Sequence, residues 1–225
     1  MPSPTPGRPT RMNVFLDHLP DFGRGVLTTI ELTVLSFTGA MLVALVVVSC
    51  RVSPVKPLRA FAIAYVEVFQ NIPLLLWLIL IIFALPEIAI NFDLFLCAVL
   101  ALSLYSAAYY AEALRSGINS VPKGQAEAAR ALGLGFLRTQ SSVVLPQALR
   151  SVLQPLCNIT IGLLMNTALT AGTGLFELTA AANAVNVITS DPLPVYIGAG
   201  VVYGLLALLI SLVTSRLEKK LVIHR

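Results

Sequence analysis

Five apolar stretches divide the chain, at about 26–49, 60–85, 94–113, 152–171 and 195–215. Each is long enough to cross a hydrocarbon core, which takes about 20 mostly apolar residues as an α-helix. Helix is the expected form because lipid offers no partner for an unpaired backbone group. Arg51-Val-Ser-Pro, Leu85-Pro-Glu and Asp191-Pro-Leu-Pro punctuate the intervals as turns. The pattern therefore predicts an all-α integral membrane protein with five transmembrane helices. Residues 22–217 form the transmembrane domain, 1–21 an N-terminal tail and 218–225 a cytoplasmic tail.

Composition agrees with that class. The chain is 57% hydrophobic and 12% charged, where soluble domains carry about 25% charged residues. Its mean hydropathy is +0.86. Cys50, Cys97 and Cys157 are isolated within or at the end of apolar runs, with no CxxC or metal spacing, so they read as packing residues. Residues 1–25 hold five prolines, three arginines and no apolar run, which excludes a cleavable signal peptide and a span. The expectation is an unstructured start over 1–11, with Met12 as an alternative first residue. His18 and His224 read as surface residues.

The net charge of +4 is distributed by loop rather than gathered in one nucleic-acid-binding patch. Arg51, Lys56 and Arg59 lie between spans one and two. Arg115, Lys123, Arg130, Arg138 and Arg150 lie between three and four, and Arg216, Lys219, Lys220 and Arg225 follow span five. Twelve of the 15 Lys and Arg residues thus fall on one side, which the positive-inside rule assigns to the cytoplasm. The opposite loops carry Glu87, Asp93, Glu177 and Asp191. The N-terminus is then outside and the C-terminus cytoplasmic, against the pull of Arg8, Arg11 and Arg24.

The cytoplasmic stretch 123–147, KGQAEAARALGLGFLRTQSSVVLPQ, is a polar, Ala-rich island in an apolar chain. Ser120 is a candidate N-cap, with Pro122 tolerated in the first turn. Residues 125–132 are strong helix formers, and Gly133 and Gly135 supply stop signals. Four alanines, at 126, 128, 129 and 131, allow a partner surface to approach closely. Glu127 and Arg130 are spaced i,i+3 and can pair or reach outward. A second helix is expected from Phe136 into span four, bent at Pro146 and Pro155. From composition alone, a solvated loop with an incidental helix is the alternative.

The same residues resemble a family signature. Glu127, Ala128, Ala129, Gly133, Val143, Leu145 and Pro146 fit the EAA motif of ABC-importer membrane subunits. The flanks SAAYYAEALRSGINSVPKGQ (106–125), FQNIPLLL (69–76) and GVLTTIELTVLS (25–36) are similar to the polar amino-acid permease subfamily. The resemblance runs from about residue 22 to the C-terminus. It implies a type I permease subunit in a bacterial cytoplasmic (inner) membrane. Such a subunit pairs with a second permease, identical or homologous, and with a dimer of ABC ATPase subunits. It also implies an extracytoplasmic solute-binding protein that meets the outer loops, around 85–93 and 174–193. Gly124, Gln125, Glu127, Ala128, Ala129, Arg130, Gly133, Leu145 and Pro146 become the ATPase-coupling residues, with Glu127 the main polar contact. ATP and Mg belong to the partner, since this chain has no GxxxxGK[ST] loop and no bound cofactor is implied.

Polar groups inside spans are costly and mark either pathways or helix-to-helix hydrogen bonds. Glu67, Gln70 and Asn71 precede Pro73 halfway through span two, where a broken helix exposes backbone. Asn158, Asn166 and Thr167 form a stripe in span four. These six are the candidate translocation-pathway residues; structural bonding is the alternative for each, and for Glu67 a buried pair. Glu31 enters span one from outside. Glu112 and Arg115 read as an interfacial i,i+3 pair. Gly198, Gly200 and Gly204 make a small-residue face suited to close helix packing.

Two positions depart from the family pattern. Gln70-Asn71 stands where Arg-Gly is frequent, and Met165-Asn166-Thr167-Ala168-Leu169 where Lys-Asp/Asn-Thr-Ser-Leu is frequent. Both remove a fixed positive charge, which favours a cationic or zwitterionic substrate over an anionic one. The function expected is ATP-driven amino-acid import by alternating access. The alternatives are import of another small polar solute, such as an opine or quaternary amine, and a non-transporting membrane scaffold. No His cluster, acidic metal site or Ser/Lys pair points to an enzyme.

Overall fold

A computed structural model describes residues 18–221, and its regular elements are helical throughout the described residues. Expectations for an unstructured 1–11, for Met12 and for His224 lie outside them. The elements are α1 (Leu19–Arg51), α2 (Lys56–Asn71), α3 (Leu74–Glu87), α4 (Leu94–Ser120), α5 (Lys123–Ala131), α6 (Phe136–Thr173), α7 (Leu178–Thr189) and α8 (Pro192–Leu221). Helices α1, α4, α6 and α8 are long and apolar enough to cross a membrane, and α2 with α3 makes a fifth span if counted as one. Helix α1 starts at Leu19 and α8 continues through Leu221.

The second apolar stretch is not one straight helix. Its halves meet at 101°. Ile72 (ψ 130°) and Pro73 (ψ 137°) are extended there. Pro73 lacks an N–H and pushes the residue before it out of the helical region, so the chain turns. The sequence pointed to an interruption at this step but not to a right-angle corner.

Proline acts differently in α6. The helix passes Pro146 and Pro155 without ending, as one element of 38 residues. A π-turn over Gln140–Val144 lies just ahead of Leu145-Pro146. That widening gives room where the proline ring would crowd the carbonyl four residues back. A second π-turn, Leu80–Ala84, precedes Leu85-Pro86 in α3.

The interior is built from small side chains against large ones. Ala40, Ala44, Val47 and Val48 of α1 pack on Ala62 and Val66 of α2 and on Ala107, Tyr110 and Ala111 of α4. Leu32, Leu74, Leu78, Leu102 and Leu163 join α1, α3, α4 and α6. Phe22, Leu164, Leu178, Val185, Val195 and Tyr203 close the end formed by α7. Buried Cys97 and Cys157 and half-buried Cys50 are free thiols. Close approach depends on glycine at two places. An added Cβ at Gly39 would lie 2.6 Å from Ser103 Oγ, and one at Gly117 would lie 2.0 Å from Val152 Cγ1. Overpacking a tight helix contact costs about 1–3 kcal/mol. Gly117→Leu is therefore expected to lower the melting temperature of the detergent-solubilised protein, and an unchanged value would mean that α4 and α6 are not so closely apposed.

Helix α8 is peripheral. Only 6% of its most apolar window is buried within this chain, against 56% for α4. The expected packing role of Gly200 and Gly204 is not met inside the subunit: both are exposed, with open space where a Cβ would be.

The stretch after α6 also departs from expectation. The charge pattern places 174–193 among the outer loops, with Glu177 as one of their acidic residues. Gly174 (φ +93°) stops α6, and Glu177 then starts the 12-residue helix α7 with its side chain fully buried.

Candidate functional site: a presented helix and two clefts

Helix α5 stands between α4 and α6 on a short excursion of the chain. Pro122 opens it, fixing φ at −59°. Ser120 does not cap it. That residue ends α4, where its hydroxyl lies 2.7 Å from the Gly117 carbonyl and 3.0 Å from Ser151 Oγ on α6. The far end closes as a Schellman motif. The Gly133 N–H donates to the Arg130 carbonyl at 2.9 Å and the Leu134 N–H to the Ala129 carbonyl at 3.1 Å, with Gly133 at φ +82°. The stop read from Gly133 is thus a left-handed turn that glycine adopts without strain.

The faces of α5 are unequal. Ala129 is buried, whereas Gly124, Gln125, Glu127, Ala128 and Arg130 are exposed. Glu127 and Arg130 do not pair. Arg130 Nε donates to the Ala126 carbonyl at 3.2 Å, and the Glu127 side chain is exposed. Next to it, Leu132, Phe136 and Leu137 are 84%, 70% and 81% exposed. Sequence reasoning missed this apolar patch, although Leu-Gly-Leu-Gly-Phe-Leu inside a polar island was the available signal. Thr139 pins the turn from below, its hydroxyl donating to the Leu134 carbonyl at 3.3 Å. Leu145 and Pro146 lie further on, in the first α-helical turn of α6 after the π-turn, and shape its path.

Two clefts run along the seam between α4 and α6. One, of about 390 Å³, is lined by Gln70, Tyr109, Glu112, Arg115 and Ser116 among others. The second, of about 240 Å³, is lined by Tyr105, Ser106, Tyr109, Gly162 and Asn166. Tyr109 borders both, and its hydroxyl lies 3.0 Å from that of Tyr105. Arg115 Nε is 3.0 Å from each carboxylate oxygen of Glu112, and a terminal guanidinium nitrogen adds a further contact. This is the pair read from the sequence, and it sits in the wall of a cleft.

Of the six pathway candidates, two line these clefts: Gln70, whose amide reaches the Ala108 carbonyl at 3.4 Å, and Asn166. Glu67 is exposed on α2 and accepts a hydrogen bond from Asn71 Nδ2 at 3.1 Å, so neither is the buried pair considered for it. Asn158 is exposed and accepts from Gln154 at 3.3 Å. Thr167 is fully buried, and its hydroxyl donates to the Leu164 carbonyl at 2.7 Å. Tyr105, Ser106 and Tyr109 were not singled out, because aromatic and hydroxyl residues in an apolar helix carry no periodic signal. No group of three metal-ligating side chains occurs among the described residues.

A bundle of helices long and apolar enough to cross a membrane, one of them cornered, with clefts along its central seam and an exposed capped helix, is the arrangement of a polytopic membrane protein. The chain matches the family described as "Binding-protein-dependent transport system inner membrane component" over residues 36–223, and it belongs to that family. It is 37% identical over 203 residues to the L-cystine transport system permease protein TcyB of Bacillus subtilis (strain 168), covering 90% of this chain and 87% of that one. It is 33% identical over 210 residues to the probable glutamine ABC transporter permease protein GlnM of the same organism, covering 93% and 97%. In three dimensions it resembles a chain from "Crystal structure of an amino acid ABC transporter with histidines", with a TM-score of 0.85, 33% identity and coverage of 92% and 96%. A chain of the inward-facing MetNI methionine ABC transporter has the same fold, with a TM-score of 0.74 at 21% identity over 90% and 96%. The chain is a permease subunit of an ABC importer; it is not itself an enzyme, and the ATPase is a separate subunit.

Proposed function

We propose that this chain is the translocating subunit of an importer for cationic or zwitterionic amino acids in a bacterial inner membrane. It works as one of two permeases, driven by a cytoplasmic ATPase dimer that uses ATP and Mg and fed by an extracytoplasmic solute-binding protein. The observation that carries this reading is the presented helix α5, with its exposed Glu127 side chain, its Gly133 stop and the apolar patch Leu132, Phe136 and Leu137 beside it. An exposed apolar group rimmed by polar residues on an otherwise polar loop is an interaction surface. Gly124 to Gly133 forms the face seated on the ATPase, and Leu145 and Pro146 link it to α6. The positive-inside rule puts this loop, Arg51 and the end of α8 in the cytoplasm. Closure of the ATPase dimer on ATP then pulls α5, and α6 with it, and the bundle alternates between inward- and outward-facing states.

The relatives named for cystine, glutamine and arginine support an amino-acid substrate. The clefts support its charge class. Tyr105, Tyr109, Ser106 and Asn166 offer neutral hydrogen-bonding groups. The one cation in a cleft wall, Arg115, is neutralised by Glu112. An anionic side chain would therefore meet, in the cleft lining, a guanidinium already paired with a carboxylate.

Uptake of labelled glutamine in cells carrying the chain and its neighbours tests this. Competition by unlabelled glutamine or arginine is expected to be strong and competition by glutamate weak; a strong preference for glutamate contradicts the substrate class. Asn166→Ala is expected to raise the apparent KM by about tenfold, the scale of one or two lost hydrogen bonds. An unchanged KM removes Asn166 from the pathway.

A further inference from the structure

Among the described residues Glu177 is the one charged side chain that is fully buried, and the transport mechanism above does not use it. It sits at the start of α7 with an extended backbone, φ −133° and ψ −170°. Its Oε1 accepts the Ala180 N–H at 2.9 Å, as a helix cap does. Capping alone does not call for the rest of its surroundings. The other oxygen, Oε2, accepts the Tyr203 hydroxyl of α8 at 2.6 Å and the Thr29 hydroxyl of α1 at 3.4 Å. Thr29 Oγ1 in turn accepts the Leu178 N–H at 3.2 Å, and Thr179 Oγ1 lies 3.0 Å from the Tyr203 hydroxyl. No described Lys or Arg pairs with the carboxylate, so neutral donors from three helices hold it.

The backbone makes the same junction independently. A Cβ at Gly25 of α1 would lie 2.9 Å from Leu178 Cα and 3.0 Å from the Glu177 carbonyl oxygen. A bare glycine surface lets α1 touch the first turn of α7. At its other end α7 carries Val187 and Ile188, 80% and 69% exposed, followed by Leu193 at 65%. The start of this helix is locked into the bundle and its tip is an apolar knob.

We infer that Glu177 is a positioning residue that fastens α7 to α1 and α8, so that these three elements move as one lever at the end opposite α5. A displacement of α7 then moves two spans together rather than bending a loose helix. This rests on the importer reading, but the fastening itself is testable without transport. Hydrogen exchange is measured on the purified full chain in lipid nanodiscs, with α4 amides as an internal control for the fold. Tyr203→Phe leaves the cap to Ala180 intact. It is expected to speed exchange over the whole of 178–189 by about tenfold, the loss of one hydrogen bond to a charged acceptor. Glu177→Ala should do the same, and the double variant should add little, because both remove one shared junction. If Tyr203→Phe exchanges like the wild type and Glu177→Ala loosens only residues 178–181, Glu177 is a cap and nothing more. In cells, Tyr203→Phe should lower the maximal uptake rate at unchanged membrane level and unchanged KM. Normal uptake with a loosened α7 would overturn the lever while leaving the importer reading in place, since the uptake is itself its demonstration.

Discussion

Gly133→Asp is expected to abolish ATP-driven uptake while the protein still inserts in the membrane. Gly133 sits at φ +82° with nothing of its own chain within 4 Å of the place a Cβ would take. Aspartate tolerates left-handed backbone better than most residues, so the turn between α5 and α6 survives. The new carboxylate points away from the bundle, beside the exposed Leu132, and intrudes on whatever seats there. Its negative charge also falls at the C-terminal end of α5, where the helix dipole disfavours it. Glu127→Lys attacks the same surface by reversing an exposed charge. Each change is expected to reduce uptake by about thirtyfold or more, the scale of a hot-spot residue worth 2 kcal/mol at an interface. Membrane levels, read by immunoblot, should stay near wild type. Normal uptake in both variants would remove the coupling role from α5.

Glu112→Gln is the second large effect expected, and it alters selectivity rather than abundance. Glu112 and Arg115 pair across the wall of the larger cleft, with 35% and 34% of their side chains exposed. Removing the acid frees a guanidinium toward the cleft. A unit charge at 4 Å is worth about 4 kcal/mol at an effective dielectric of 20, but groups exposed to this degree are screened well below that. A shift of about tenfold toward anionic amino acids, read as the ratio of glutamate to glutamine uptake, is the expected size. Arg115→Gln should leave glutamate excluded. The swap of Glu112→Arg with Arg115→Glu should restore the wild-type ratio, because the pair reforms with reversed ends. A ratio unmoved by Glu112→Gln would place the substrate path away from this cleft.

The apolar spans and helix α5 were legible because both are written in local patterns. Apolar runs bounded by turn residues mark α1, α4 and α8, with ends that fall within seven residues of those observed. The Ala-rich run with Gly133 behind it marks α5 and its stop. What stayed hidden depends on contacts between distant residues. The burial of Glu177, an outer-loop acid in the sequence, is not legible there because its partners Thr29 and Tyr203 lie 148 and 26 positions away. Helix α7, at 12 residues, is too short to register as a span. Pro73 and Pro146 read alike in sequence, yet one turns the chain through a right angle and the other rides through on a π-turn. The six pathway candidates separate only in three dimensions. Gln70 and Asn166 line clefts, whereas Thr167, one residue from Asn166, is fully buried.

The central claim is that this chain transmits ATP-driven movement through α5. The most direct measurement is purification of the tagged protein from its native membrane in gentle detergent, with mass spectrometry of what accompanies it, for wild type and Gly133→Asp side by side. The prediction is an ABC ATPase, together with a second permease or a second copy of this chain, in the wild-type sample, and loss of the ATPase in the variant. A wild-type protein that comes away without an ATPase, under conditions in which a control ABC transporter keeps its own, would contradict the account.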